Sequence, residues 1–259
     1  MCGISGVKGR NAIVKALLIT VGQLERGDLS SGIAWIRNGK LKYYKIADSP
    51  VKLLYKVISN PHMYNQTLSD MAIAHNRFPS IGQVTVQNAH PFISCDKSFA
   101  LVHNGTSSTI NSLRKELKER HKIFGETDSE LLTHLLEEYI YEHGDMITAL
   151  EKLYEKYLNG AIIVLTRNRE IYAIRNSSAP IHYCEYNGEI YIASTENAIR
   201  NITSKKAQII KLKPRQILRA TDKGIEVIGE GEEEKDIYKW ITEYDYDFYK
   251  WYRDIIRKY

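Results

Sequence analysis

Apolar runs typical of strands occur at both ends of the chain, and helical patterns are grouped between them. This order constrains the fold more than any other feature, because it favours strands collected into sheets over alternating βαβ units. It predicts an α+β sandwich. No glycine-rich phosphate loop follows a strand, which argues against a nucleotide-binding fold.

Apolar spacing predicts helices over 11–25, 51–59, 108–120, 128–143 and 145–158. Strands are predicted over 1–9, 33–37, 41–46, 71–75, 99–103, 161–166, 171–175, 181–185 and 190–193, with two or three more between 208 and 228. Asn38-Gly39 predicts a tight hairpin turn, because both residue types accept positive φ. The loop over 77–91 is long and has no pattern of its own, which is more typical of a functional loop.

Composition excludes several classes of protein. Of the 259 residues, 43% are hydrophobic and 26% are charged, as in an ordinary globular protein. Three cysteines are too few for a disulfide scaffold, and no apolar run reaches the ~20 residues that span a bilayer. The net charge of +5 comes from interspersed charges, so nucleic-acid binding is not expected. We therefore expect a cytoplasmic protein that binds neither membrane nor nucleic acid.

Cys95 and Cys184 are predicted to be buried core thiols. The histidine and cysteine spacing shows no zinc pattern, so neither a metal nor a cofactor is expected.

Cys2 is the first candidate for chemistry. Removal of Met1 before this residue would give a terminal cysteine that carries both a thiol and a free α-amine. The amine has a pKa of ~8 and the thiol of ~8.5, so the amine can act as base for its own side chain. The alternative is an incidental cysteine near a frayed terminus.

The sequence around Cys2 resembles the opening of the class II glutamine amidotransferases, the N-terminal-nucleophile glutaminases. Similar segments follow in the same order as in that family: Leu24–Gly27 with Ser30–Gly32, Ile73–Ser80, Asn88–Phe92, Leu101–Gly105, Gly125–Glu130 and Tyr191–Glu196. Each segment alone is a weak signal, whereas their order together with a cysteine at position 2 is specific. The resemblance covers about residues 2–215 and implies a four-layer αββα sandwich, the N-terminal-nucleophile hydrolase fold.

The resemblance also implies roles at the reacting bond. Cys2 would attack the side-chain amide of L-glutamine and form a γ-glutamyl thioester. The Asn104 side-chain amide and the Gly105 backbone N–H would hold the oxyanion. Arg26 and His103 would support the site. On residue type alone, Asn104-Gly105 is more typical of a plain tight turn after a buried strand.

Four further positions are implied to bind the substrate. Arg77 would clamp the α-carboxylate and Asp128 would accept the α-ammonium, with Phe78 and Ser80 in the loop that closes over glutamine. The alternatives are a solvated loop arginine at 77 and a helix N-cap at 128.

The predicted organisation is an amidotransferase domain over 2–229, followed by an acidic linker and an aromatic C-terminal helix over 230–259. That helix would pack on the sandwich or dock a partner. We expect a separate synthase subunit that accepts the ammonia as partner. The sequence does not decide whether the chain forms an oligomer. Two other functions remain at this point: a stand-alone hydrolase of another γ-glutamyl amide, and a non-catalytic regulatory relative.

Overall fold

The computed structural model describes residues 1–60 and 69–234. The strands of this part are β1 (Gly3–Lys8), β2 (Ser30–Arg37), β3 (Lys40–Ile46), β4 (Met71–Arg77), β5 (Phe92–Ile93), β6 (Phe99–Gly105), β7 (Gly160–Thr166), β8 (Glu170–Arg175), β9 (His182–Tyr186), β10 (Glu189–Ala193), β11 (Ile210–Lys211), β12 (Ile217–Thr221) and β13 (Gly224–Ile228). The helices are α1 (Ala12–Val21), α2 (Pro50–Ser59), α3 (Arg114–Arg120), α4 (Asp128–His143), α5 (Met146–Lys156) and α6 (Glu196–Arg200). Short 3₁₀ turns lie at Leu24–Arg26 and Ser108–Leu113.

The strands form two antiparallel sheets that pack face to face. The first has the order β11-β9-β10-β1-β4-β2-β3 and the second β13-β12-β8-β7-β6-β5. Apolar side chains from both sheets, such as Ile4, Ile73 and Ile163, are fully buried between them. α1, α2 and α6 cover the outer face of the first sheet, and α3, α4 and α5 cover that of the second. The predicted αββα sandwich is confirmed.

Most predicted elements are present, with differences at their ends. The hairpin turn at Asn38-Gly39 has φ of 50° and 68°, as expected. The helix predicted over 11–25 ends at Val21, where the Gly22 N–H bonds the Leu18 carbonyl. The helix predicted over 108–120 starts as a 3₁₀ turn. The sequence prediction missed the short β5 and α6.

Two cysteines were predicted in the core, and one of them lies elsewhere. Cys184 is buried as expected, but Cys95 is exposed, so the prediction for Cys95 is wrong. Cys95 lies on the turn between β5 and β6, beside the edge strand of the second sheet.

The acidic run over 230–234 contacts the sandwich. Glu234 pairs with the buried Arg175 at 3.0 Å and with Lys211 at 2.8 Å. The predicted aromatic helix falls within 235–259, outside the described residues, and the domain boundaries remain predictions. No described helix is long and apolar enough to cross a membrane.

Strands β1, β4 and β6 place the predicted site at one edge of the sandwich, where the ends of these strands lie close together. Gly3 at the start of β1 pairs with Asn76 near the end of β4, in the first sheet. Asn104 and Gly105 end β6 in the second sheet. The sheet packing therefore brings residues that are about a hundred positions apart to the same edge.

Two buried histidines stack near this edge. The rings of His75 and His90 lie 3.9 Å apart, and each side chain is at most 3% exposed. Burial lowers the pKa of His75 to about 3 and the pKa of His90 well below its usual value. Repulsion from His75 and His103, once these are protonated, and from the cations Arg77 and Lys45 lowers the pKa of His90 further. Both rings are therefore neutral in the folded protein at neutral pH.

These histidines predict a loss of stability in acid. Below pH ~6.5 the unfolded chain binds protons that the folded chain does not, so the free energy of unfolding falls as pH decreases toward 3. His90→Phe should reduce this slope by about 1.4 kcal/mol per pH unit, because the unfolded variant binds one proton fewer. The substitution removes no hydrogen bond from the described residues, since neither His90 ring nitrogen has a partner among them. Urea unfolding at several pH values measures the slope. His143→Phe is the control, since that side chain is 27% exposed; an equal reduction there would contradict the assignment.

Candidate active site

Cys2 directly precedes β1 and is held by its backbone. The Arg26 Nε–H donates to the Cys2 carbonyl at 2.8 Å. Gly3 allows the close approach of the neighbouring strand, because a Cβ there would lie 2.1 Å from Asn76 Oδ1. Arg26 is itself buried and stands in the 3₁₀ turn that follows α1. This hydrogen bond places Arg26 beside Cys2.

A hydrogen bond connects Cys2 to the second sheet. The Cys2 backbone N–H donates to Asn104 Oδ1 at 3.0 Å. An N–H can only donate, so the amide oxygen of Asn104 must face Cys2 and its nitrogen must face away. Asn104 Nδ2 is buried and has no hydrogen-bond partner among the described residues. A buried donor without a partner is costly, which makes this nitrogen a candidate donor to a ligand.

The Cys2 sulfur lies at the same corner, on a residue that is only partly exposed. Its thiol donates to the Phe78 carbonyl at 3.5 Å. Burial raises the pKa of the Cys2 thiol, and the hydrogen bond to Phe78 and the charges of Arg77 and Arg26 only partly offset this. The resting thiol is therefore protonated at neutral pH and needs a base before it can attack.

Tight packing fixes the corner at Asn104-Gly105. A Cβ on Gly105 would lie 2.0 Å from the Asn159 carbonyl. Gly160, which pairs with Gly105, has φ of 125°, and a Cβ there would lie 2.2 Å from the Asn104 carbonyl. The corner is therefore more than a plain turn, because the facing glycines Gly105 and Gly160 allow its backbone to pack closely against the start of β7.

His103 packs beneath this corner. Its Nε2 lies 3.1 Å from the Asn159 carbonyl and its Nδ1 lies 3.0 Å from the Ser129 hydroxyl. The carbonyl can only accept, so Nε2 carries the proton and Nδ1 accepts from Ser129. Burial lowers the pKa of His103. The neutral ring supports the corner through two hydrogen bonds.

Arg77 ends β4 and is 3% exposed, which excludes a solvated loop arginine. Its guanidinium donates to the carbonyls of Gln83, at 3.0 Å, Gly82, at 3.4 Å, and Ile81. Burial lowers the pKa of Arg77, and Cys2, Asp128 and Glu126 oppose this shift in their ionised forms. Arg77 therefore organises the loop that follows it while lying in the electrostatic range of Cys2 and Asp128.

Asp128 lies in the first turn of α4, but it is not the helix N-cap. Thr127 is the N-cap and accepts from the Glu130 N–H at 3.3 Å. This leaves the Asp128 carboxylate to accept from the Ser107 backbone N–H, just beyond Gly105. Asp128 is thus directed toward the end of β6, and the N-cap alternative is wrong.

The loop over 78–88 spans the site. The Phe78 side chain is exposed, and Ser80 accepts from the Thr106 hydroxyl at 2.9 Å. Two residues without a predicted role, Asn88 and Glu126, hold this loop in place. Asn88 accepts from the Glu126 N–H at 2.9 Å and donates to the Glu126 carboxylate at 3.0 Å. The signal for Asn88 was its place in the segment Asn88–Phe92.

A protein-family model described as a glutamine amidotransferase domain matches residues 75–201, which include Arg77, Asn104, Gly105 and Asp128. A relative from Zymomonas mobilis, a glutamine–fructose-6-phosphate aminotransferase (isomerizing), is 34% identical over 232 residues. That match covers 88% of this chain and so extends well beyond the family model.

The chain belongs to the class II glutamine amidotransferases. A Thermus thermophilus aminotransferase of the same name is 33% identical to this amidotransferase over 232 residues. The chain spans a little more than a third of the length of each of these two relatives, 36% in both cases.

Solved structures share the fold of this amidotransferase. The glutamine phosphoribosylpyrophosphate amidotransferase of B. subtilis, solved with ADP and GMP, superposes with a TM-score of 0.73 at 21% identity, covering 88% of this chain and 49% of that one. A glutamine aminotransferase class-II domain protein from Silicibacter pomeroyi has a TM-score of 0.56 at 16% identity, covering 91% of this chain and 100% of that one. At these identities the likeness concerns the fold.

The facing glycines of the corner lead to a prediction about stability. Gly160→Ala should destabilise the amidotransferase by about 3 kcal/mol, because the new Cβ meets the Asn104 carbonyl as well as an unfavourable φ. Gly188→Ala is the matched control: its φ is 72° but nothing lies within 4 Å of a Cβ, so it should cost about 1 kcal/mol. Denaturant unfolding measures both. Equal losses would show that the backbone contact at Asn104 does not constrain the corner.

Proposed function

We propose that this protein hydrolyses the side-chain amide of L-glutamine to glutamate and ammonia through a thioester on Cys2. The observation that carries the proposal concerns Asn104 Nδ2, which is buried and has no hydrogen-bond partner in the part of the chain that the structure describes, while Oδ1 of the same amide bonds Cys2. A protein that served only as a scaffold gains nothing from leaving this donor unsatisfied, whereas an oxyanion site requires one.

The terminal amine would be the base. Removal of Met1, which is 73% exposed, would leave the α-amine at the position of the Cys2 nitrogen, 3.0 Å from Asn104 Oδ1. This amine would take the thiol proton as Cys2 Sγ bonds the amide carbon of glutamine. It would return the proton to the leaving nitrogen when the C–N bond breaks and ammonia departs. Water would then hydrolyse the thioester and release glutamate.

Asn104 and Gly105 would stabilise the tetrahedral intermediates. The bond from the Cys2 nitrogen fixes the Asn104 amide, so Nδ2 is directed before the substrate arrives. Donors that need no reorganisation stabilise developing negative charge most effectively. The Gly105 N–H would be the second donor of the oxyanion site.

Arg77 and Asp128 would hold the charged groups on the α-carbon of glutamine. A guanidinium has five N–H donors, and the three loop carbonyls described above leave capacity for a carboxylate. Asp128 accepts one backbone N–H, and a carboxylate can accept several more hydrogen bonds, including those of an ammonium group. Phe78 and Ser80 would line the loop that closes over the substrate.

An ammonia acceptor is part of the proposal. The curated relatives are named as aminotransferases, and the shared region is a little more than a third of their length. We place the acceptor on a separate synthase subunit and the enzyme in the cytoplasm. Neither nucleic acid nor membrane is needed for this chemistry, and self-association is compatible with it.

Kinetics on the full chain test the glutaminase activity. The wild-type protein should release glutamate and ammonia from L-glutamine, and mass spectrometry should find Cys2 at its N-terminus. Asn104→Ala should lower kcat by about 100-fold or more with a smaller change in KM, because it removes a donor used mainly in the transition state.

Asn111→Ala is the matched control, since Asn111 lies on an exposed 3₁₀ turn and should keep normal kinetics. A wild-type protein that cleaves another γ-glutamyl amide but not glutamine would contradict the proposed substrate. Equal activity of Asn104→Ala and Asn111→Ala would contradict the proposed oxyanion site.

A further inference from the structure

A second cluster of reactive side chains lies on the helical side of the second sheet. It consists of Cys95, His121, His134 and Glu137. Cys95 is on the turn after β5, His121 follows α3, and His134 and Glu137 are on α4. One ligand-type atom from each residue lies within 4.8 Å of the other three. The mechanism proposed above uses none of these residues.

The same atom of each histidine faces both the thiol and the carboxylate. Cys95 Sγ lies 3.4 Å from His121 Nδ1 and 3.7 Å from His134 Nδ1. Glu137 Oε2 lies 3.5 Å from His121 Nδ1 and 3.3 Å from His134 Nδ1. The four atoms therefore surround a common point.

This convergence differs from a catalytic relay. In a Cys–His–Glu relay the acid bonds one ring nitrogen while the other nitrogen serves the thiol. Here the carboxylate and the thiol approach the same Nδ1 in both rings. A single proton on one Nδ1 cannot satisfy both neighbours at once, whereas a cation at the centre satisfies all four atoms.

Four of the six distances between these atoms fit a tetrahedral zinc site, and the other two are at most 4.8 Å. Zinc binds sulfur at about 2.3 Å and nitrogen or oxygen at about 2.0–2.2 Å, which places tetrahedral ligands roughly 3.3–3.6 Å apart. The four distances, from 3.3 to 3.7 Å, are close to this range. A thiolate and a carboxylate also balance the charge of a divalent ion, and thiolate with imidazole favours zinc over magnesium or calcium.

We propose that Cys95, His121, His134 and Glu137 bind a Zn²⁺ ion. Because the protein supplies all four ligands, the site is structural and leaves no open position for substrate.

The surroundings of the cluster match the second shell of a metal site. His121 Nε2, on the far side of the ring, lies 3.0 Å from Glu138 Oε1. A carboxylate there fixes the ring so that Nδ1 faces the metal. The Cys95 backbone N–H donates to both Glu137 carboxylate oxygens, at 3.0 and 3.1 Å, which orients that ligand. Glu138 is held in turn by Arg120 at 2.6 Å.

An entry path and a structural purpose are both present. Cys95 and His134 line a surface cavity of about 630 Å³, so an ion can reach the cluster from solvent. The bound ion would tie the β5–β6 hairpin to the end of α3 and the middle of α4. The same hairpin leads to Asn104, and Asp128 begins α4. Zinc would thereby stabilise the elements that carry two of the candidate active-site residues.

Ligand spacing along the chain does not predict this metal site. Only His134 and Glu137 lie on one helix, three residues apart, and this spacing is common on ordinary helix surfaces. The other two ligands come from separate segments. Only the packing of α4 against the hairpin brings the set together.

Metal analysis of the full chain tests the proposal. All proteins carry Cys2→Ala, which removes the other partly exposed thiol. After incubation with zinc and gel filtration, the parent should retain about one zinc ion per chain. Cys95→Ser and His134→Gln should bind zinc about 10-fold to 100-fold more weakly than the parent, as measured by competition with a chromophoric chelator. His143→Gln is the matched control on the same helix and should bind like the parent.

Two further readouts separate metal binding from misfolding. Cobalt should give the parent a sulfur-to-cobalt charge-transfer absorption that Cys95→Ser lacks. Zinc should raise the unfolding temperature of the parent and leave that of Cys95→Ser unchanged. The proposal is overturned if the folded parent retains no zinc, or if Cys95→Ser and His134→Gln bind zinc as tightly as the parent. Glutaminase activity is not part of this test, so its outcome is independent of the proposed function.

Discussion

The hydrogen bond from the Cys2 backbone nitrogen to Asn104 Oδ1 determines the geometry of the candidate active site. It links the residue that precedes β1, the central strand of the first sheet, to the penultimate residue of β6 in the second sheet. A neutral hydrogen bond adds only about 1 kcal/mol to stability. This hydrogen bond matters because it orients the Asn104 side chain. The amide oxygen accepts from the Cys2 main chain, so the amide nitrogen is the group that a ligand would use.

The rest of the fold keeps these two groups together. Glycines at 3, 105 and 160 allow backbones and side chains to approach more closely than any other residue would. Neutral His103 packs beneath the corner, and buried Arg77 holds the loop that passes over it. The site is therefore arranged before substrate binds, which is the condition for effective stabilisation of an oxyanion.

The sandwich could be predicted from the sequence because apolar periodicity and turn residues identify each strand and helix from its neighbouring residues alone. Sequence reasoning could also name Cys2, Asn104, Gly105, Arg77 and Asp128, because their neighbouring segments resemble those of a known family. It could not find what depends on packing. Cys95 was expected in the core because cysteine is usually buried, but it lies on an exposed turn. Thr127 replaces Asp128 as the N-cap because capping depends on local backbone angles, which the pattern does not show.

The zinc cluster illustrates the same limit. Its four ligands come from a turn, the end of one helix and the middle of another, so no spacing in the chain predicts it. Asn88 and Glu126 were overlooked for a similar reason, since their contact joins two loops that are 38 positions apart.

The central claim is that the sulfur of Cys2 and the amide nitrogen of Asn104 face the same reacting atom. A crystal structure of the full chain after reaction with a glutamine-like diazoketone tests it most directly. The account predicts a chain that starts at Cys2, a covalent bond to its sulfur, and the carbonyl oxygen of the adduct within about 3.1 Å of Asn104 Nδ2 and the Gly105 nitrogen. An adduct on Cys2 whose oxygen points away from both donors, or a retained Met1 with an unmodified Cys2, would contradict it.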